Sequence, residues 1–426
     1  MLTSTGAVAY TIITMLPIDL ILHAGNTGGY SMIFALLLAA IIWNLATWSF
    51  GIPNSSSHAL IGSIIGVGLA NQFLAPAGEA SAGVQWGPVF GVFKALLFSP
   101  LIGFFAAGGL LLLVKLLVHR KDLYQAPVGK KPPPLWIRSL LILTCTGVSF
   151  SHGGNDGQKG MGLIMLILIG AAPTAFALNR AIPDSDTPAF IAATHKAQSI
   201  FAAHADGTAV MDPAKARGVV DHALKVRVTD RPEVYAALAS LSADIATQVQ
   251  SYGAISHVPA EATPNIRNDM YLTAEAVRGL TKSPGAIAAG DMSALKAYGN
   301  DLNHGTRYIP IWVKVSVAVA LGLGTMVGWK RIVVTVGEKI GKEHLTYAQG
   351  ASAELIAAGT IGLAEAYGLP VSTTHILSSG VAGTMAANGS GLQMATLRNM
   401  ALAWILTLPV AIILAGSLYA LLHSIF

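Results

Sequence analysis

Gly51-Ile52-Pro53-Asn54-Ser55-Ser56-Ser57-His58-Ala59-Leu60 returns 317 residues further on as Gly368-Leu369-Pro370-Val371-Ser372-Thr373-Thr374-His375-Ile376-Leu377. The same offset pairs Gly66 with Gly383, Ala70 with Ala387 and Asn71 with Asn388. With a small shift, 2–12 runs beside 321–332, and Pro100 in one apolar run answers Pro409 in another. A repeat of this kind means two copies of one architectural unit, whose shared surface is the place to look for a site. In each copy a proline precedes Ser/Thr residues suited to a helix N-cap, and an apolar run follows. Each copy therefore predicts a helix N-terminus with free N–H groups, a positive dipole end and hydroxyl donors, a combination that holds a tetrahedral oxyanion.

Composition supplies the setting. Charged residues are 11% of the 426, against roughly 25% in soluble domains. Hydrophobic residues reach 53%, and the mean hydropathy is +0.59. So few charges cannot cover a soluble globule of this size, and long apolar runs between short turns favour helices over an outer-membrane barrel. One cysteine, Cys145, excludes a disulfide framework and is expected in the core. The net charge of +5 follows basic residues placed beside apolar spans and does not suggest nucleic acid. Candidate spans are 5–23, 30–50, 54–74, 95–117, 136–151, 159–178, 308–328, 346–367, 371–388 and 399–423. Asp19 and Lys94 are lone charges at span edges and read as anchors.

Roughly half of the charges fall between Arg180 and Arg307, in a stretch of soluble composition with helical patterning from Pro232 to Ser251. The chain divides into a first membrane repeat (1–118), a basic cytoplasmic linker (119–135), the start of a second repeat (136–179), a polar insert (180–307) and the rest of the second repeat (308–426). The turn at 23–29 has no Lys or Arg, while its counterpart holds Lys330, Arg331, Lys339 and Lys342. Likewise 75–88 holds only Glu79, while its counterpart holds Arg398. Basic turns lie in the cytoplasm, so the copies are expected to run in opposite senses. The predicted fold is an all-α polytopic membrane protein: an inverted-repeat transporter with broken or re-entrant helices and a soluble insert.

A third motif, Ser149-Phe150-Ser151-His152-Gly153-Gly154-Asn155-Asp156-Gly157-Gln158-Lys159-Gly160, places a carboxylate and an ammonium between two apolar runs. Ionisable groups at that depth usually face a site. Its glycines predict unwound backbone whose carbonyls hold a cation, with Asn155 and Asp156 as oxygen donors or Asp156 as a proton carrier. Lys159 pairs with Asp156, neutralises substrate or snorkels to the surface. His58 and His375 are candidates for proton coupling or for orienting their turns. Gly337-Glu338-Lys339-Ile340-Gly341-Lys342 lacks the Gly-Lys-Ser/Thr arrangement of a phosphate loop.

Together the 151–160 motif, the Pro-x-Ser-Ser-Ser-His and Pro-x-Ser-Thr-Thr-His pair and Gly337-Glu338-Lys339-Ile340-Gly341 resemble the inorganic phosphate transporter (PiT) family in its bacterial low-affinity form. The resemblance covers the membrane part, less closely the insert. It implies a non-enzymatic symporter in the bacterial inner membrane that moves phosphate, free or as a neutral divalent metal–phosphate complex, with H⁺ or Na⁺. It implies no bound cofactor and is compatible with a homodimer. By resemblance, Ser55, Ser56, Ser57, Ser372, Thr373, Thr374 and Asn155 bind phosphate. Asp156, Asn155, His58 and His375 couple the cation or proton, supported by Lys159 and Gln158. The family also carries a His-Asp or Asn-Asp motif in its first repeat, which this chain lacks. The chain has no basic leader and opens inside an apolar run, so the expectation is a transporter short of its first motif. The alternatives are transport of another tetrahedral oxyanion such as sulfate, or a non-transporting remnant or phosphate sensor. An intramembrane hydrolase fits poorly: Ser57 and His58 are adjacent and diverge by about 100° on a helix, with no nucleophile elbow.

Overall fold

A computed structural model describes residues 4–16, 27–75, 83–127, 132–281 and 287–425. Asp19, Glu79 and the far end of the first predicted span lie outside them. The first half contains α1 (Ala7–Ile13), α2 (Thr27–Ser49), α3 (Ser56–Leu74) and α4 (Trp86–Leu117). Next comes α5 (Leu135–Ala171), followed by α6 (Thr187–Ala203), α7 (Pro213–Val226), α8 (Pro232–Tyr252), α9 (Thr263–Leu280) and α10 (Ala289–Thr306). The chain ends with α11 (Ile311–Met326), α12 (Trp329–Glu338), α13 (Tyr347–Ala366), α14 (Thr373–Asn388) and α15 (Met394–Ile425). Among the described residues no strand forms beyond an isolated bridge between Gly341 and Leu392.

Four helices among the described residues, α2 from Gly29, α3, α4 and α15, are long and apolar enough to cross a bilayer. α10 and α11 pass the same test together but bend by 72° at the break between them. Two predicted spans, 136–151 and 159–178, are not separate. Their residues lie largely in the single helix α5, 37 residues long and so about 55 Å from end to end. The expected unwinding at 152–160 is absent, because the glycines there keep helical backbone throughout α5. α14, at 16 residues or about 24 Å, falls short of a bilayer core of about 30 Å. Cys145 is exposed on α5, not in the core as expected.

The two repeat copies exchange partners. α14 packs along α4, and α15 packs along α3, so each copy's short helix lies against the other copy's long one. Glycine permits the approach. A Cβ on Gly383 would sit 2.0 Å from the Phe104 carbonyl oxygen, and one on Gly66 would sit 2.2 Å from that of Ile412. These two glycines are equivalent positions of the repeat. In lipid, where apolar burial gives helices no preference for each other, small residues that let backbones touch do much of the holding.

Helices α6–α10 form a bundle around Phe201, Leu238, Ile245, Met270, Tyr298 and Leu302. Asp269, wholly buried, receives bonds of 2.5 and 2.9 Å from Arg217. The bundle meets the membrane part directly: Arg227 donates to the Val84 carbonyl at 2.8 Å, and Tyr271 packs on a core cluster drawn from α1–α5 and α15.

Gly383→Ala is expected to lower stability by about 1–3 kcal/mol through overpacking. Gly91→Ala, whose Cβ would meet nothing within 4 Å, is expected to be neutral. The temperature at which the detergent-purified chain leaves its size-exclusion peak reads both. Asp269→Asn is expected to cost a few kcal/mol by the same assay, less than the roughly 3–5 kcal/mol of a fully buried pair because Arg217 is partly exposed.

Candidate functional site

The repeated motifs build two helix N-termini of one design. Ser55 caps α3 by accepting from the His58 N–H at 3.2 Å, and Ser372 caps α14 by accepting from the His375 N–H at 3.2 Å. Pro53 and Pro370 lie two residues before each cap and keep the approach extended. The two ends meet. Ser57 Oγ donates to the Val371 carbonyl at 2.8 Å, and the His58 and His375 rings lie 4.7 Å apart. Trp404 of α15 stacks on His375 at 4.0 Å while its indole N–H donates to the Pro53 carbonyl at 3.2 Å. Two positive dipole ends are thus focused on one place.

The middle of α5 lies against this junction. Lys159, 5% exposed, donates to Asp156 Oδ1 at 2.6 Å, Ser57 Oγ at 2.6 Å and the Val371 carbonyl at 2.9 Å. Those three bonds use all the hydrogens of its ammonium and tie α5 to both repeat motifs. Lys159 is thus paired with Asp156 and does not snorkel to the surface. Asp156 Oδ2 lies 2.9 Å from His152 Nε2 and 3.3 Å from Thr373 Oγ1, whose hydroxyl is 3.1 Å from the same imidazole nitrogen. Asn155, fully buried, donates to the Leu369 carbonyl at 3.1 Å and accepts from the Val371 N–H at 3.4 Å. It braces the approach to α14 through backbone.

The structure therefore gathers Ser57, Asn155, Asp156, Lys159, Thr373, His58 and His375. Ser55 and Ser372 spend their oxygens as caps, and Ser56 faces outward. Gln158 turns toward α1 and α13, accepting from the Val8 N–H and donating to Glu365, each at 2.9 Å. Ser57's hydroxyl engages Lys159 and Val371, while His58 Nδ1 pairs with Ser55 at 2.8 Å, so no Ser57–His58 couple exists for the hydrolase reading.

A cavity of about 310 Å³ opens beside the junction, between α5, α12, α13 and α14. His152, Thr373, Thr374 and Ser378 face it together with Glu354, which accepts from Thr144 at 2.5 Å. Among the described residues, Ser378 Oγ and His375 Nε2 are buried with no hydrogen-bond partner, a state that normally marks the place of a ligand or water. Glu354 and Glu365 escaped the sequence reading. Each is a lone acid in the apolar run of α13, and the rule that singled out Asp156 applies equally to them.

Comparison with known proteins places the chain among its relatives. The model of the phosphate transporter family matches residues 1–415. The low-affinity inorganic phosphate transporter PitA of Escherichia coli K12 is 41% identical over 430 residues, covering 97% of this chain and 85% of that protein. PitB of the same organism is 40% identical over 427 residues with the same coverage. A probable low-affinity inorganic phosphate transporter of Bacillus subtilis is 27% identical over 399 residues, covering 93% and 76%. Among solved structures, a sodium-dependent phosphate transporter aligns with 99% of this chain and 88% of its own, at 18% identity and a TM-score of 0.44. With its match running from the first residue to 415 and two relatives above 30% identity along nearly its whole length, the chain belongs to the phosphate transporter family.

Proposed function

We propose that this protein is a secondary active symporter of inorganic phosphate that works by alternating access in the bacterial cytoplasmic membrane. The observation that carries the reading is the meeting of two helix N-termini, bonded through Ser57 and Val371, over the buried Lys159–Asp156 pair. Helix N-termini and hydroxyls hold a tetrahedral oxyanion, and an ammonium offsets its charge. Asp156 supplies the opposite requirement, a carboxylate for the co-transported H⁺ or Na⁺. A phosphate entering between the N-termini takes over the donors now spent on the Val371 carbonyl and Asp156. That exchange separates the repeats, so substrate occupancy and opening become one event. A divalent metal enters, where it does, as part of the cargo and needs no resident site.

The exchanged packing of the equivalent pairs α3/α14 and α4/α15 supports an inverted repeat. The basic linker before α5 and the basic segment at Lys330–Lys342 favour the cytoplasm for both. One crossing by α5 then puts the insert outside, and the chain returns through the 308–328 stretch that contains α11. Ser185 on the insert and His119 on the linker are both exposed.

Three results are expected. Radiolabelled phosphate uptake in a transport-deficient bacterium falls to background in Asp156→Asn. In Ser57→Ala the apparent affinity weakens about three- to tenfold, the worth of one hydrogen bond. Unlabelled sulfate that competes as well as phosphate would overturn the substrate assignment, and uptake that survives a protonophore but not Na⁺ removal would assign Na⁺. In intact cells, a cysteine placed at Ser185 reacts with an impermeant maleimide and one placed at His119 does not. Cross-linking the same membranes tests whether copies pair as a homodimer.

A further inference from the structure

A second cavity, about 510 Å³, lies where α1 and the Tyr367-Gly368 turn face α9 and α10 of the insert. Its volume falls within the roughly 300–1,000 Å³ of small-ligand sites. Tyr10, Arg278, Lys296, Asn300, Asn303 and Arg307 decide its chemistry. Arg278 and Arg307 lean on one carboxylate, Glu275: Arg278 bonds to it directly, and Arg307 approaches only to 3.8 Å. Arg307 otherwise lies over the Tyr10 ring at 5.3 Å, and among the described residues its guanidinium makes no hydrogen bond. Lys296, exposed on α10, adds a third cation. Two side-chain amides complete a lining rich in N–H donors.

This cavity shares a wall with the Asn155–Lys159 site. Gly368 lines it, and the next residue, Leu369, gives its carbonyl to Asn155 at 3.1 Å. On the other side Ala7 lines it, and the next residue, Val8, bonds to Gln158 at 2.9 Å. The insert thus places a cationic, donor-rich chamber one backbone layer from the junction of the two repeats.

We propose that this chamber is an oxyanion antechamber, in which Arg278, Lys296 and Arg307 hold inorganic phosphate before it passes to the site at Asp156 and Lys159. Arginine forks and an ammonium match phosphate oxygens, and a cationic recess raises the local anion concentration. As a step in transport the proposal rests on the phosphate-symport reading; as a binding site it does not. The phosphate group of an anionic lipid offers the same oxygens, and lipid composition separates the two sources.

The test uses the whole chain. In phosphatidylcholine proteoliposomes, Lys296→Gln is expected to raise the KM for phosphate about five- to tenfold, with Vmax held within about twofold, and to flatten the rise of KM with ionic strength. Lys296→Arg restores the wild-type KM. A KM unmoved in both Lys296→Gln and Arg278→Gln overturns the proposal. Equilibrium binding of radiolabelled phosphate to the Asp156→Asn chain in phosphatidylcholine nanodiscs supplies an arm free of transport. Binding that persists there and disappears on adding Lys296→Gln supports the chamber, and no residual binding refutes it. Loss of that binding when phosphatidylglycerol is added assigns the chamber to a lipid headgroup and also refutes it. A wild-type chain that binds phosphate through Lys296 yet takes none up defeats the symport reading and leaves the chamber standing.

Discussion

The structure turns on one buried ammonium. Lys159 is sealed from solvent, and a charge so placed is tolerable only when its hydrogens find oxygen partners. It finds them on three segments: Asp156 on its own helix, Ser57 at the start of α3, and the Val371 carbonyl just before α14. The two halves of the membrane part meet where this charge is satisfied. Anything that unseats one partner must provide another, and an oxyanion is the species best able to do so. In the proposed mechanism packing and chemistry therefore share one constraint, since a substrate that relieves it would also alter the fit between the repeats.

Much of this was legible in the sequence because it rests on local rules. A proline followed by Ser/Thr and an apolar run writes a capped helix start. A second copy of that signal says the start is used twice, and Asp156 with Lys159 in an apolar stretch marks the place where the two starts meet. The meaning of the glycines at 153–162 was not legible. Glycine suits unwound backbone and close helix contact equally, and only the neighbours decide. In α5 two of them are contact positions: a Cβ on Gly154 would fall 2.3 Å from Glu365 Oε2, and one on Gly162 would fall 2.7 Å from the Ala9 carbonyl. The helix stays whole because α1 and α13 press against it. Glu354 and Glu365 went unread for a simpler reason: each stands alone in sequence, and its partners, Thr144 and Gln158, lie on another helix.

The insert changes how the membrane part is reached. Its own core and the Arg217–Asp269 pair hold it together, yet α10 runs into α11 through a 72° bend with a break of no more than four residues. Arg227 and Tyr271 add two further attachments. A bundle fastened at several points moves with the helices beneath it.

Trp404 adds a property of a different order. Its indole N–H is held by the Pro53 carbonyl of the first copy while its ring lies flat on His375 of the second, 4.0 Å away. The emission of an indole responds to the ring stacked on it and to the acceptor of its N–H. Trp404, one of the chain's seven tryptophans, thus sits at the seam between the halves with surroundings that change if they part.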